Sequence, residues 1–231
     1  MAYCYEKKTD RKGNIYIEIT GYEGSIRHLV IPAMMENIPV RSIGKYAFSG
    51  REDLCSLTLP ETIDTLGRQA FYNCKNLTTL SLFDSVEDYY DGVIKQCGNL
   101  HAITLHQKRN SFSVMKELLA DNDRMLRFCV EPIGLHLTFP AYVYDFVEDV
   151  EARVLHHKIE GSGYPYRECV TRKGVDLLAY DRLFFHAADD DYRAAIDIAL
   201  DRLMYPLELE TQARDCLLYT SPSPRDSTSS R

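Results

Sequence analysis

Apolar and polar positions alternate in short bursts along the first half of the chain, and the bursts return at a fixed spacing. Leu57-Thr58-Leu59-Pro60 recurs as Leu80-Ser81-Leu82-Phe83, Ile103-Thr104-Leu105-His106 and Leu126-Arg127-Phe128-Cys129, a step of 23 residues each time. An earlier copy, Leu29-Val30-Ile31-Pro32, lies 28 residues before Leu57. Side chains two apart on a strand share a face. The spacing therefore predicts two inward columns: Leu57, Leu80, Ile103 and Leu126 beside Leu59, Leu82, Leu105 and Phe128. Ser56, Thr58, Thr79, Ser81, Thr104 and Arg127 are expected to point outward. A period in the twenties marks a solenoid, whose stacked copies build a narrow parallel sheet.

The second half of each copy aligns too. Ile43-Gly44 matches Leu66-Gly67, Ala47-Phe48 matches Ala70-Phe71 and Val93-Ile94, and Cys74-Lys75-Asn76-Leu77 matches Cys97-Gly98-Asn99-Leu100. Small Ala beside Phe suits a short helical turn against the sheet. Gly suits a bend that needs positive φ or close backbone approach. Asn76 and Asn99 suit turns, where an amide side chain bonds the backbone. The pattern then decays: Tyr90 and Ser113 stand in the Gly column, and residues 114–121 (VMKELLAD) read as an ordinary helix. The text "IPVRSIGKYAFSG…LTLPETIDTLGRQAFYNCKNLTTLSL" resembles the BspA-like leucine-rich repeat family, over about residues 13–131. That resemblance implies a leucine-rich-repeat solenoid. In relatives with export signals it implies adhesion to host or matrix proteins.

Either side of the repeats the pattern differs. Ile15–Ile19 alternates as a strand, and Gly24-Ser25 is expected to turn a hairpin into Ile26–Ile31, so residues 1–25 form a cap. Residues 133–139 alternate once more. After Pro140 helical spacing predicts a helix over Asp145–Lys158, carrying Phe146, Val150 and Val154 on one side. Gly161-Ser162-Gly163-Tyr164-Pro165 breaks it, and a second helix is expected over 174–188. Asp189-Asp190 would cap a third, with Tyr192, Ala195, Ile196, Ala199, Leu200 and Leu203 as its apolar face and Pro206 as its stop. The expected fold class is α/β: a short leucine-rich-repeat solenoid over 26–131, then an all-α helical-hairpin region over 132–215. Residues 216–231 (CLLYTSPSPRDSTSSR) resemble a translated sequencing adapter. They are expected to be a non-native tail, the natural protein being truncated near Asp215.

Composition narrows the function classes. A net charge of -7 argues against nucleic acid, which needs clustered Lys and Arg. Seven cysteines with no CxxC support neither a zinc ribbon nor a thioredoxin-like motif. Cys74 and Cys97 recur with the repeat, as buried packing residues would. No apolar run has leader or membrane-span length. A cytoplasmic location follows if Met1 is the true start, and a cell-surface one if the true N-terminus is missing. Asp189-Asp190-Asp191 lacks calcium-loop spacing, and His156-His157 would diverge by about 100° on a helix. Gly161-Ser162-Gly163 lacks the rest of a phosphate loop and reads as a linker. Tyr89-Tyr90, Tyr142 and Tyr144 suit recognition or packing equally. No catalytic residue, cofactor or metal is expected, and no enzyme activity. The chain reads as a scaffold binding a protein partner through the six outward residues. The alternative is a targeting or recognition module of a larger protein, an enzyme or a surface adhesin.

Overall fold

Two parallel ladders run along the repeats, not the single one that the Leu columns predict. The structure, a computed structural model, describes residues 2–149, 154–190 and 192–204, with the backbone alone for 146–149, 154–158 and 202–204. An antiparallel hairpin opens the chain, β1 (Ala2–Thr9) against β2 (Ile15–Glu23). Gly24, at φ 96°, then carries the chain across to the other sheet, where β3 (His28–Val30) starts a new row. The hairpin expected at Gly24-Ser25 is thus a crossover. A two-residue turn at Glu36-Asn37, both at positive φ, joins β4 (Met34–Met35) to β5 (Ile38–Ile43). Each following coil gives one strand to each sheet: β6 (Ser56–Thr58) and β7 (Thr65–Leu66), then β8 (Thr79–Phe83) and β9 (Asp88–Tyr89). The next contributes β10 (Ala102–His106) and, in place of a further strand, the helix α1 (Ser113–Asp121), where the sequence predicted one. β11 (Leu126–Glu131) and the antiparallel β12 (Leu135–Phe139) complete the second sheet. The first sheet runs β1-β2-β5-β7-β9, with β4 beside β5; the second runs β3-β6-β8-β10-β11-β12.

The inward columns are buried as expected, each large aliphatic side chain contributing about 1.5–3 kcal/mol. Their last step differs. Ile103 pairs with Phe128 and Leu105 with Val130, while Leu126 pairs with Phe139 of β12. The connection through α1 has taken up two residues. An even slip leaves every side chain on its own face, so inward and outward positions keep their roles.

The Ala-Phe segments are runs of overlapping turns. Ala47 N donates to Gly44 O at 3.3 Å, Ser49 N to Tyr46 O at 3.2 Å and Arg51 N to Phe48 O at 3.3 Å. Intervening amides reach the next coil, Phe48 N to Ala70 O at 2.8 Å and Phe71 N to Val93 O at 2.9 Å. Phe48 and Phe71 stack with ring centres 5.3 Å apart. The buried Cys74 and Cys97 thiols donate to the carbonyls of Phe48 and Phe71, both at 3.1 Å. Asn76, Asn99 and Asn122 each donate to the preceding coil, to Glu52 O, Lys75 O and Cys97 O at 2.7, 2.8 and 3.3 Å. The Asn ladder ties coils together, and Asn122 also accepts within its own turn, from Arg124 N at 2.9 Å.

After β12 helices form the later part of the region, as expected, but strand pairs accompany them and the first expected helix is absent. β13 (Val143–Asp149) and β14 (Val154–Glu160) form an antiparallel hairpin where a helix over Asp145–Lys158 was expected. The segment is rich in Val, Tyr and Phe, which favour a pleated surface. Gly161-Ser162-Gly163 is a packed turn, not a linker: Ser162 is buried, and a Cβ on Gly163 would lie 2.1 Å from Pro140 O. There follow α2 (Gly163–Glu168) and the short pair β15 (Val170–Thr171) and β16 (Gly174–Val175). The single helix expected over 174–188 is β16, then α3 (Leu177–Arg182) and α4 (Phe184–Asp190); Asp176 caps α3 by accepting from Ala179 N at 2.9 Å. Asp189 and Asp190 end α4 instead of capping α5 (Tyr192–Met204). That last helix buries Ala194, Ala195 and Ile198 and exposes Tyr192, Ile196 and Leu200, so much of the expected apolar face is turned outward. Small alanines let the helix lie close to its neighbours. Pro206, Asp191, Cys216 and the tail at 216–231 lie outside the described residues.

Tyr180 fastens this region to the solenoid. Its hydroxyl accepts from Thr138 N at 3.0 Å and donates to Thr138 O at 2.5 Å, closing the free edge of β12. Thr138 also bonds the Asp201 carboxylate of α5. Tyr166 packs edge-on to Tyr180 with ring centres 4.7 Å apart, yet its own buried hydroxyl has no partner among the described residues. Removing a bonded hydroxyl strands its partners, whereas removing an orphan relieves a desolvation cost. Tyr180→Phe is therefore expected to lose about 2–3 kcal/mol and Tyr166→Phe to lose nothing. Urea denaturation of the two variants checks the contrast.

Candidate functional site

The outward face of the second sheet is a grid set by strand register. Ser56, Thr79, Ala102 and Arg127 occupy one column. Val30, Thr58, Ser81, Thr104 and Cys129 occupy the next, and His136 lies across from Cys129. Phe83, His106 and Glu131 form a third. Successive members of a column are about 4.8 Å apart, the strand spacing of any sheet. The structure thus brings all six sequence-predicted residues onto one face, with Arg127 one column over from where the unbroken period would put it.

The third column lies beyond the positions expected from the repeat. The His106 ring lies 4.8 Å from the Phe83 ring, with Nε2 2.9 Å from the Ser81 hydroxyl and Nδ1 3.0 Å from the Glu131 carboxylate. The Lys108 ammonium sits 5.7 Å over Phe83. Behind it the buried Asp84 carboxylate accepts from Lys108 N at 2.9 Å, Arg109 N at 2.8 Å and Ser111 N at 3.1 Å, fixing the loop after β10. Extending the strand alternation by two residues, to Phe83 and His106, would have found this platform. At the opposite margin His28 Nδ1 lies 2.8 Å from the Ser56 hydroxyl.

Besides the Ser56 and Ser81 hydroxyls held by His28 and His106, a third predicted residue is engaged. The Arg127 guanidinium pairs with Asp197 of α5 at 2.6 Å. The helix therefore bounds the grid on the β12 side, leaving Ser56, Thr58, Thr79, Ser81 and Thr104 uncovered by it. Cys129 Sγ is 3.7 Å from His136 Nε2, a weak contact. Burial, and then the Glu131 charge, push the Cys129 thiol pKa up, which is the wrong direction for an activated nucleophile. The grid therefore offers contact surface: short hydroxyls, one aromatic-imidazole platform and two flanking charges. Of the tyrosines, Tyr89 bonds Asp121 at 2.8 Å, Tyr142 lies under Arg167, and Tyr90 and Tyr144 are exposed. Among the described residues no cluster of three or more metal-ligating side chains occurs, and no helix is long and apolar enough to cross a membrane.

Residues 22–116 match the profile of the "BspA type Leucine rich repeat region (6 copies)". No curated protein sequence matches the chain significantly. Among solved structures, a leucine rich cell surface protein from Faecalibacterium prausnitzii A2-165 is similar at 19% identity, over 46% of this chain and 45% of that one, with a TM-score of 0.31. The T. pallidum Leucine Rich Repeat protein is similar at 18% identity, over 44% of this chain and 68% of that one, with a TM-score of 0.26. A leucine-rich repeat protein from Bacteroides ovatus ATCC 8483 is similar at 14% identity, over 46% of this chain and 49% of that one, with a TM-score of 0.27. The match to the first of these spans under half the length of either chain.

Proposed function

Because residues 22–116 are a BspA-type leucine-rich repeat region, we propose that the chain is a non-catalytic recognition module that binds a protein partner across the outward face of its second sheet. The observation that carries this reading is the grid of short hydroxyls, Ser56, Thr58, Thr79, Ser81 and Thr104, held in register on stacked strands. Short side chains lose little conformational entropy when covered, and a stacked solenoid presents them as a continuous surface. The Phe83–His106 platform supplies an aromatic anchor at one end of the grid. Arg127, occupied by Asp197, serves as a margin. A cytoplasmic setting is supported by six free cysteines among the described residues.

The experiment is a pair of Arg substitutions, Thr58→Arg with Thr104→Arg, in the full chain. With a partner isolated on the wild-type chain and purified, the double variant is expected to bind at least about tenfold more weakly, as loss of a central contact does. Thermal stability should be unchanged. A Lys75→Ala control on the turn side should bind as wild type. Equal affinity of the double variant and the wild type would remove the second sheet from the interface.

A further inference from the structure

The two sheets end differently. The second is closed by β12 and the Tyr180 hydroxyl. The first stops at β9, whose outer edge has no strand neighbour, because α1 stands where the next coil would supply one. In the preceding coils, backbone amides bond the strand before them: Gly67 N to Ile43 O at 2.8 Å, Tyr90 N to Leu66 O at 3.0 Å, and Asp88 N to Asp64 O at 3.0 Å. One coil further on those amides are diverted. Ser113 N turns to the Ser111 hydroxyl at 3.3 Å and Ser111 N to the Asp84 carboxylate at 3.1 Å. Among the described residues the outward carbonyls of Glu87 and Tyr89 receive no bond of the kind that Ile43 O, Asp64 O and Leu66 O accept.

The neighbouring turn run shows how the fold covers such an edge where it does so. The Asp121 carboxylate accepts from Gly92 N at 3.1 Å and Ile94 N at 2.8 Å. It replaces the next-coil carbonyls that Gln69 N and Phe71 N find at Asp91 O and Val93 O. No such group covers β9. A cleft of about 600 Å³ lies there instead, between residues 86–90 on one wall and Ser111, Ser113, Glu117 and Arg172 on the other. That volume falls within the 300–1,000 Å³ usual for ligand clefts. Arg109 pairs with Glu87 at 2.5 Å and Arg172 with Glu117 at 3.6 Å, so the cations of the lining are matched. The exposed Asp88 carboxylate has no ion pair or hydrogen bond among the described residues, and Tyr90, two residues on, is 54% exposed. The surplus charge of the cleft is negative and lies beside an aromatic ring.

We infer that this cleft binds an extended, basic segment of a partner protein, which joins the first sheet as the strand that α1 displaces. Backbone amides of the segment donate to the Glu87 and Tyr89 carbonyls, as in strand addition at other sheet edges. A Lys or Arg side chain meets Asp88 and the face of Tyr90. The site is separate from the hydroxyl grid and does not rest on it.

The test titrates the 15N-labelled full chain with two synthetic peptides, Ac-Val-Lys-Val-Lys-Val-NH2 and Ac-Val-Glu-Val-Glu-Val-NH2. The basic peptide is expected to shift the amide resonances of residues 87–90 and 111–113 saturably. The acidic one should bind at least about tenfold more weakly, since like charges oppose it. Asp88→Lys, at an exposed position outside the core, should keep the thermal midpoint and lower affinity for the basic peptide by about tenfold. Four results would each overturn the inference: no saturable shift at millimolar peptide, equal binding of the two peptides, shifts confined to Thr58, Ser81 and Thr104, or the same shifts on raising protein concentration alone, which would make a second copy of the chain the occupant.

Discussion

Arg167→Met is expected to destabilise the protein by about 3–5 kcal/mol, the usual cost of breaking a buried charged network from one side. For a chain of this size that is a fall in melting temperature of roughly 6–20 °C. Arg167 is 6% exposed and forms no ion pair with a carboxylate among the described residues. Its donors all go to backbone carbonyls: Nε to Leu119 at 3.2 Å, Nη1 to Pro140 at 2.5 Å and Gly163 at 2.9 Å, and Nη2 to Asn122 at 3.2 Å and Arg124 at 2.7 Å. Those of Leu119 and Asn122 belong to the C-terminal end of α1, where carbonyls lack helical partners and the helix dipole favours a cation. The guanidinium also lies 4.6 Å from the centre of the Tyr142 ring. Burial lowers its pKa to about 10, so it remains a cation at neutral pH. One side chain thus caps α1, holds the loop into β11 and seats α2. Met fills much of the volume and supplies none of the donors. Lys restores the charge but cannot span five carbonyls with one ammonium, so Arg167→Lys should recover less than half of the loss. Urea denaturation of both variants decides it; a Met variant as stable as wild type would show that water satisfies these carbonyls without the guanidinium.

How much of this was legible in the sequence depended on the range over which each feature is encoded. The Leu57, Leu80 and Ile103 columns could be read because a period of two and a period of 23 coincide there. The second ladder could not, because β7 and β9 are two residues long and carry no alternation. The register change at β11 escaped notice for the opposite reason: a slip of two preserves every face. Among the site residues, Ser56, Thr58, Thr79, Ser81 and Thr104 followed from alternation within one repeat. The engagement of Arg127 by Asp197 did not, since it joins elements far apart in the chain. Arg167 is the extreme case, its acceptors lying up to 48 residues away and nothing in its local text marking it. The hairpin of β13 and β14 was misread because apolar residues spaced by four fit a helix as readily as they fit a strand of Val, Tyr and Phe.

Gly67→Ala should be the most damaging single methyl in the repeats, at about 3 kcal/mol, the upper range for overpacking a filled site. The sequence left two reasons for a repeat glycine open, positive φ or close approach. The left-handed positions prove to be others, Tyr46, Gln69 and Gly92 in one column and Gly50, Asn73 and Gln96 in another. Gly67 is required by contact. A Cβ there would stand 2.7 Å from Gly44 C and Lys45 N and 2.8 Å from Ile43 O, all backbone atoms that cannot rotate away. Coil spacing is fixed by the ladder itself, with Gly67 N bonded to Ile43 O at 2.8 Å and Tyr46 N to Arg68 O at 3.1 Å, so a methyl must break bonds to find room. Gly44 is the graded control: the atoms nearest its Cβ would be Ile19 O at 3.2 Å and the flexible Glu18 side chain at 3.5 Å, and a loss of about 1 kcal/mol is expected. Gly98 is the null control. Nothing lies within 4 Å of its Cβ, and Gly98→Ala should be neutral or gain up to about 1 kcal/mol by restricting the unfolded chain. The order of urea midpoints, Gly67→Ala lowest, then Gly44→Ala, then Gly98→Ala at or above wild type, is the measurement. A Gly67→Ala midpoint equal to that of Gly98→Ala would mean that the coils can part at this column without breaking the ladder on either side.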